Sequence, residues 1–202
     1  MEKKLDVIFI LDKSGSMSGS EESTISSFNE YLEKEKKNKF KTRITTILFS
    51  DDYSYLHKGL DISKVKPLTS EDYYVGGCTA LYDAIGNSIN YIDRCDTDKV
   101  MFIIITDGYE NASKEFNNEK IKKMIKNHSN YEFIYIGADI DSYSAGASIG
   151  IRKDNISNYK KDKKGTGLLF KGVADYASSM MEGRSTTNWK EDLEEYINEN
   201  KK

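Results

Sequence analysis

Apolar residues along this chain gather into short runs, each closing on a polar loop. Leu5-Asp6-Val7-Ile8-Phe9-Ile10-Leu11 is the first, and it ends at Asp12 before a stretch of serine and glycine. A run of this length, rich in β-branched side chains, reads as a parallel strand buried on both faces. Ile25, Phe28 and Leu32 then recur at helical spacing among polar residues, predicting a helix from about Glu21 to Lys37. Arg43–Phe49 and Tyr53–His57 predict two more strands. Only Ser50-Asp51-Asp52 separates them, so they must form an antiparallel hairpin at a sheet edge.

The second half repeats the alternation. Leu81, Ile85, Ile89 and Ile92 lie on one face of a helix opened by Gly76-Gly77-Cys78-Thr79. Val100–Ile105 is the most apolar run and predicts a central strand ending in Thr106-Asp107-Gly108. A helix around Ile121, Met124 and Ile125 follows, then a strand at Glu132–Ile136, a short Ser/Ala/Gly-rich helix and a weak strand near Asn155–Tyr159. Leu169, Val173, Ala177 and Met180 mark a last long helix. The alternation predicts a doubly wound α/β fold: a mainly parallel six-stranded sheet with one antiparallel edge strand and helices on both faces. One domain is expected over residues 1–182. Residues 183–202 form a tail in which Trp189, Leu193, Tyr196 and Ile197 fall at helical spacing. That tail helix is expected to pack on its own domain, with a partner-binding helix as the other reading.

Composition narrows the function classes. The hydrophobic share is 38%, low for a globular chain, but its concentration in runs argues against general disorder. Thirty basic and 33 acidic residues are scattered to a net charge of −3, so neither nucleic acid nor a membrane surface is an expected partner. The two cysteines, Cys78 and Cys95, show no metal-binding spacing and are expected as free thiols. Met1–Leu11 carries Asp6 and no small-residue cleavage site, and no apolar segment reaches the ~18 residues of a membrane span. A cytoplasmic protein is the expectation.

The chemistry gathers where strands end. Asp12, Ser14 and Ser16 follow the first strand, Thr79 opens a helix, and Asp107 follows the central strand. In an open α/β sheet the carboxyl ends of the strands are where ligands bind, and converging hard oxygens suit a hard cation such as Mg2+. Taken singly, each of these residues also makes an ordinary helix cap or turn.

The arrangement Asp-x-Ser-x-Ser, then a glycine-flanked Thr, then Thr-Asp-Gly resembles the von Willebrand factor A domain over about residues 4–180. In that family these residues form a metal-ion-dependent adhesion site. The resemblance implies that Ser14, Ser16 and Thr79 offer hydroxyl oxygens to Mg2+ (or Mn2+), with Asp12 and Asp107 acting directly or through water. It also implies a protein partner whose Asp or Glu completes the coordination, and a binding module, not an enzyme. Neutral hydroxyl donors leave the ion much of its attraction for an outside anion. Gly137-Ala138-Asp139 is similar to segments in bacterial and phage stand-alone members. The alternative is a Mg2+-dependent phosphohydrolase or phosphotransferase with Asp12 as acceptor. Against it, Ser14 stands where haloacid-dehalogenase-like enzymes carry a second carboxylate, and no phosphate-binding Gly-rich loop is present.

Among smaller features, Asp139 and Asp141 are expected to cap a helix or add charge to the rim. His57 and His128 are expected at the surface or in a helix's last turn, and Lys160–Lys164 as a solvated connection.

Overall fold

A computed structural model describes residues 4–200 of the 202. Residues 1–3 and 201–202, which the expected domain and tail include, lie outside the described residues. The elements are β1 (Lys4–Asp12), α1 (Glu21–Glu35), β2 (Lys41–Phe49), β3 (Tyr53–Asp61), α2 (Leu81–Ile92), β4 (Lys99–Thr106), α3 (Asn118–Asn127), β5 (Glu132–Gly137), α4 (Ser142–Ser148), β6 (Ile156–Asn158), α5 (Lys163–Glu182) and α6 (Glu191–Glu199). The six strands form one sheet in the order β3-β2-β1-β4-β5-β6. Every pairing is parallel except the β2–β3 hairpin, which closes one edge.

Because side chains alternate across a strand, β1 feeds two cores. Leu5, Val7, Phe9 and Leu11 face α1 and α5, where Phe9 meets Phe28 and Tyr31 edge-on, each at 5.1 Å between centroids. Ile8 and Ile10 face the other layer with Ile85 and Ile89 of α2 and Ile121 of α3. Both faces of the central strands are therefore closed by helices, and only the strand ends carry polar groups. Among the described residues, no helix is long and apolar enough to cross a membrane.

Three details depart from the sequence expectations. β3 runs past His57 to Asp61, because backbone pairing with Arg43 and Ile44 continues through the polar Lys58-Gly59. His57 is buried, not at the surface, with Nδ1 3.0 Å from Thr46 Oγ1; burial holds its imidazole below the ordinary value. Trp189 precedes α6 instead of lying within it. Its ring sits edge-on to Tyr176 at 6.1 Å, and its Nε1 donates to the Asp154 carbonyl at 2.9 Å.

This segment joins the first core through Trp189 and Leu193. Gly172 of α5 makes the approach possible: a Cβ there would meet the Trp189 carbonyl oxygen at 2.5 Å. Lys190 Nζ donates to the Ile156 carbonyl of β6 at 2.7 Å, so the residues before α6 also cover the short final strand.

Candidate metal centre

β1 and β4 are neighbours in the middle of the sheet, with Leu11 opposite Ile105. The turns after them must therefore meet. Asp12 is fully buried: Oδ1 accepts from the Ser14 amide at 2.7 Å, and Oδ2 accepts from the Thr106 hydroxyl at 2.5 Å. Its own carbonyl accepts from the Tyr73 hydroxyl, which fixes the turn from behind. Burial raises the carboxyl above the ordinary range, and the Ser14 and Thr106 hydrogen bonds only partly oppose it. Among the described residues no cationic side chain pairs with this carboxylate.

Ser14 and Ser16 bring their hydroxyl oxygens to 3.1 Å, and Ser16 Oγ donates to Asp107 Oδ1 at 2.5 Å. Thr79 arrives from a third segment. Gly15 N donates to the Gly77 carbonyl at 3.1 Å and Gly76 N to the Lys13 carbonyl at 2.9 Å, a short ladder that binds the two loops together. Asp51 accepts from the Cys78 amide at 3.1 Å beneath it. Gly77 stands at φ 81, and a Cβ there would strike Asp51 Oδ2 at 2.0 Å, so only glycine fits. Asn111 then grips Thr79 on both sides, its Oδ1 accepting from Thr79 N at 2.8 Å and its N donating to Thr79 O at 3.0 Å.

Two of the hydroxyls meet beside Gly108: a Cβ built there would lie 2.9 Å from Thr79 Oγ1 and 3.5 Å from Ser16 Oγ. Ser14, Ser16, Thr79 and Asp107 thus share one end of the sheet with Asp12, although Asp12 is turned toward the Ser14 amide and Thr106. The donor set fits a hard divalent cation. Two ligands in adjacent positions of an octahedron with ~2.1 Å bonds stand about 3 Å apart, which is the Ser14–Ser16 spacing. All five donors are oxygens, and no cluster of three or more His, Cys, Asp or Glu side chains suited to a metal occurs among the described residues. Oxygen donors of this kind match hard divalent cations better than soft ones.

Several anchors of this edge carry no signal in the sequence. Glu110 folds back onto its own loop, accepting from Ala112 N at 2.9 Å and Ser113 N at 2.7 Å, and takes the Tyr82 amide of α2 at 2.8 Å. Asp83 accepts from the amides of Lys114, Glu115 and Phe116 at 2.8, 3.0 and 2.9 Å. Two carboxylates thereby staple the loop after β4 to the start of α2. Lys161, expected in a solvated turn, instead points into the edge and contacts Asp107. Asp141 does cap α4, accepting from Ser144 N at 2.9 Å, while Asp139 pairs with Lys161. Tyr74 and Tyr109, beside the Gly76-Gly77 and Gly108 turns, are 65% and 57% exposed; Lys13 Nζ lies 4.0 Å from the Tyr74 ring centroid, and the Tyr109 hydroxyl accepts from the Asp141 amide at 3.1 Å.

The architecture is that of the von Willebrand factor A fold. Similar solved structures include proximal thread matrix protein 1 from the mussel byssus with a zinc-occupied MIDAS motif, at 17% identity and a TM-score of 0.65. That match covers 87% of this chain and 46% of the mussel chain. The vWF domain of the type V pili tip protein Mfa5 from Porphyromonas gingivalis matches at 12% identity and a TM-score of 0.65, over 90% of this chain and 97% of that one. A von Willebrand factor type A protein from Catenulispora acidiphila matches at 12% and 0.62, over 87% and 43%. The chain thus spans under half the length of the mussel and Catenulispora proteins and nearly all of the Mfa5 domain. No family model matches the sequence, and no curated protein matches it.

Proposed function

We propose that this chain is a metal-dependent protein-binding module, in which Asp12, Ser14, Ser16, Thr79 and Asp107 hold Mg2+ (or Mn2+) for completion by a partner's Asp or Glu. The observation that carries this reading is the meeting of three distant segments at one edge, where Ser14, Ser16 and Thr79 supply neutral hydroxyl oxygens from two of them and only the carboxylates of Asp12 and Asp107 stand by. When bound, the cation supplies electrostatic attraction for an outside anionic oxygen. Ser14 and Ser16 orient two neutral donors at the spacing of adjacent ligands. Ser16 donates its proton to Asp107 Oδ1, which leaves its oxygen an acceptor. Asn111, Asp51 and the Gly15–Gly77 ladder hold Thr79 against them.

The zinc-occupied motif of the mussel protein supports a divalent ion at this place in the fold, and the names of the mussel and pilus-tip proteins point to adhesion or assembly. Phosphoryl transfer at Asp12 is disfavoured because Ser14 stands where such chemistry uses a second carboxylate two residues on, whereas a buried Asp12 can still act on a cation through water. The test uses the full chain as bait and follows partner retention in EDTA, after Mg2+ is restored, and with Asp12→Ala. Retention lost in EDTA, regained with Mg2+ and absent in the variant is expected. Retention indifferent to all three would overturn the reading.

A further inference from the structure

Lys161 lies in the turn between β6 and α5, yet its ammonium is fixed inside the metal edge. Nζ stands 2.8 Å from Asp107 Oδ2, 2.8 Å from Asp139 Oδ2 and 3.2 Å from the Ser16 carbonyl. Three acceptors match the three protons an ammonium carries, so the group is fully committed and not a stray surface charge. Its side chain is only 23% exposed, and that of Asp107 is 0% exposed. Asp139, which helps hold it, is the one non-glycine residue with positive φ, at 56°, among the described residues. An aspartate tolerates that backbone better than most residues, and here it sets a carboxylate facing the lysine. Asp107 is therefore shared, taking the Ser16 hydroxyl on one oxygen and the Lys161 ammonium on the other.

Resting on the metal-binding reading above, we infer that Lys161 is a tethered cation that competes with the divalent ion for Asp107 and so sets the affinity of the site. A positive charge already hydrogen-bonded to a ligand carboxylate repels a second cation at the same place and holds that oxygen from it. The lysine cannot diffuse away, so its effective concentration is fixed by the turn that carries it. A module weakened in this way engages only where the divalent ion is abundant or a partner carboxylate adds to the binding.

The test is calorimetric titration of Mg2+, with Mn2+ electron paramagnetic resonance as a second readout, on wild type, Lys161→Met and Lys161→Arg. Folding is checked by circular dichroism, and Lys161→Gln replaces the methionine variant should that one misfold. Lys161→Met is expected to bind metal on the order of tenfold more tightly or better, with Lys161→Arg close to wild type because it keeps the charge. Metal binding by the neutral variant alone also supports the inference. Equal or weaker binding by the neutral variant overturns it while wild-type binding leaves the metal site standing. Equal tightening by methionine and arginine also overturns it, since charge would not be the cause. Absence of binding in every form overturns both the competition and the metal site.

Discussion

Asp12 offers the sharpest test, because its burial and its proposed role pull stability in opposite directions. The carboxylate has no exposure, accepts two hydrogen bonds and has no cationic side chain paired with it among the described residues. A buried charge without a counter-ion costs folding free energy, and the upward displacement of this carboxyl by burial is the same penalty seen from the proton's side. Asp12→Asn keeps an acceptor for the Ser14 amide and turns a donor toward the Thr106 hydroxyl, which accepts as readily as it donates. In EDTA the variant is therefore expected to melt at or above the wild-type temperature. Mg2+ reverses the order. A ligand that binds only the folded form at a hundredfold excess over Kd adds about 2.7 kcal/mol. For a domain of ~200 residues, each kcal/mol shifts Tm by about 2–4 °C, so wild type should gain about 5–10 °C and Asp12→Asn almost nothing. The assay is thermal unfolding by circular dichroism at matched ionic strength, with and without Mg2+. Equal Mg2+ increments in the two proteins would refute the reasoning. So would a variant that melts well below wild type in EDTA, since the charge would then serve the fold and not a cation.

Other consequences are accessible to standard measurements. Asp83→Ala removes the acceptor for the amides of Lys114, Glu115 and Phe116, and a loss of about 2–4 kcal/mol by urea denaturation is expected, partly offset by water reaching the freed amides; an unchanged midpoint would discount the staple. His57 has its imidazole depressed by burial, so the folded state prefers it neutral. Its contribution is full above the unfolded value of about 6.5 and falls away as pH drops below that, so His57→Gln should flatten the decline between about pH 7 and 5. Parallel declines in the two proteins would show that other groups control that window. Gly172→Ala forces a Cβ against the Trp189 carbonyl at 2.5 Å, costing about 1–3 kcal/mol and shifting the emission of the only tryptophan toward the red. An unmoved spectrum with unchanged stability would count against this tight approach.

The strands were legible because buried parallel strands must be apolar on both faces, and Ile8 through Leu11 and Val100 through Ile105 have little else to be. That Asp12, Ser14, Ser16 and Asp107 lie at one edge has a related reason: they follow β1 and β4, which are adjacent and parallel, so the loops after them emerge together; Thr79 follows no such strand and was placed with them only by the resemblance to the family motif. The end of β3 was not, since Lys58-Gly59 breaks the alternation while backbone pairing, which needs no particular side chain, continues. His57 was misplaced because a lone histidine carries no periodic mark of which face it takes. Lys161 escaped for a different reason. A charged turn reads as solvated unless its acceptors are known, and Asp107 and Asp139 belong to two other loops, 54 and 22 positions back in the chain. Asp51 and Asn111 are hidden likewise, because Asp51 holds the Cys78 amide and Asn111 the Thr79 amide from segments far away in sequence.

The residues leading into α6 take up carbonyls that the short last strand and its lead-in turn leave unpaired, through Lys190 on Ile156 and Trp189 on Asp154. A chain cut between α5 and α6 would bare the outer margin of the sheet together with the apolar bed of Trp189. Open strand margins template pairing with other molecules, so such a shortened chain should self-associate during sedimentation where the whole one stays dispersed.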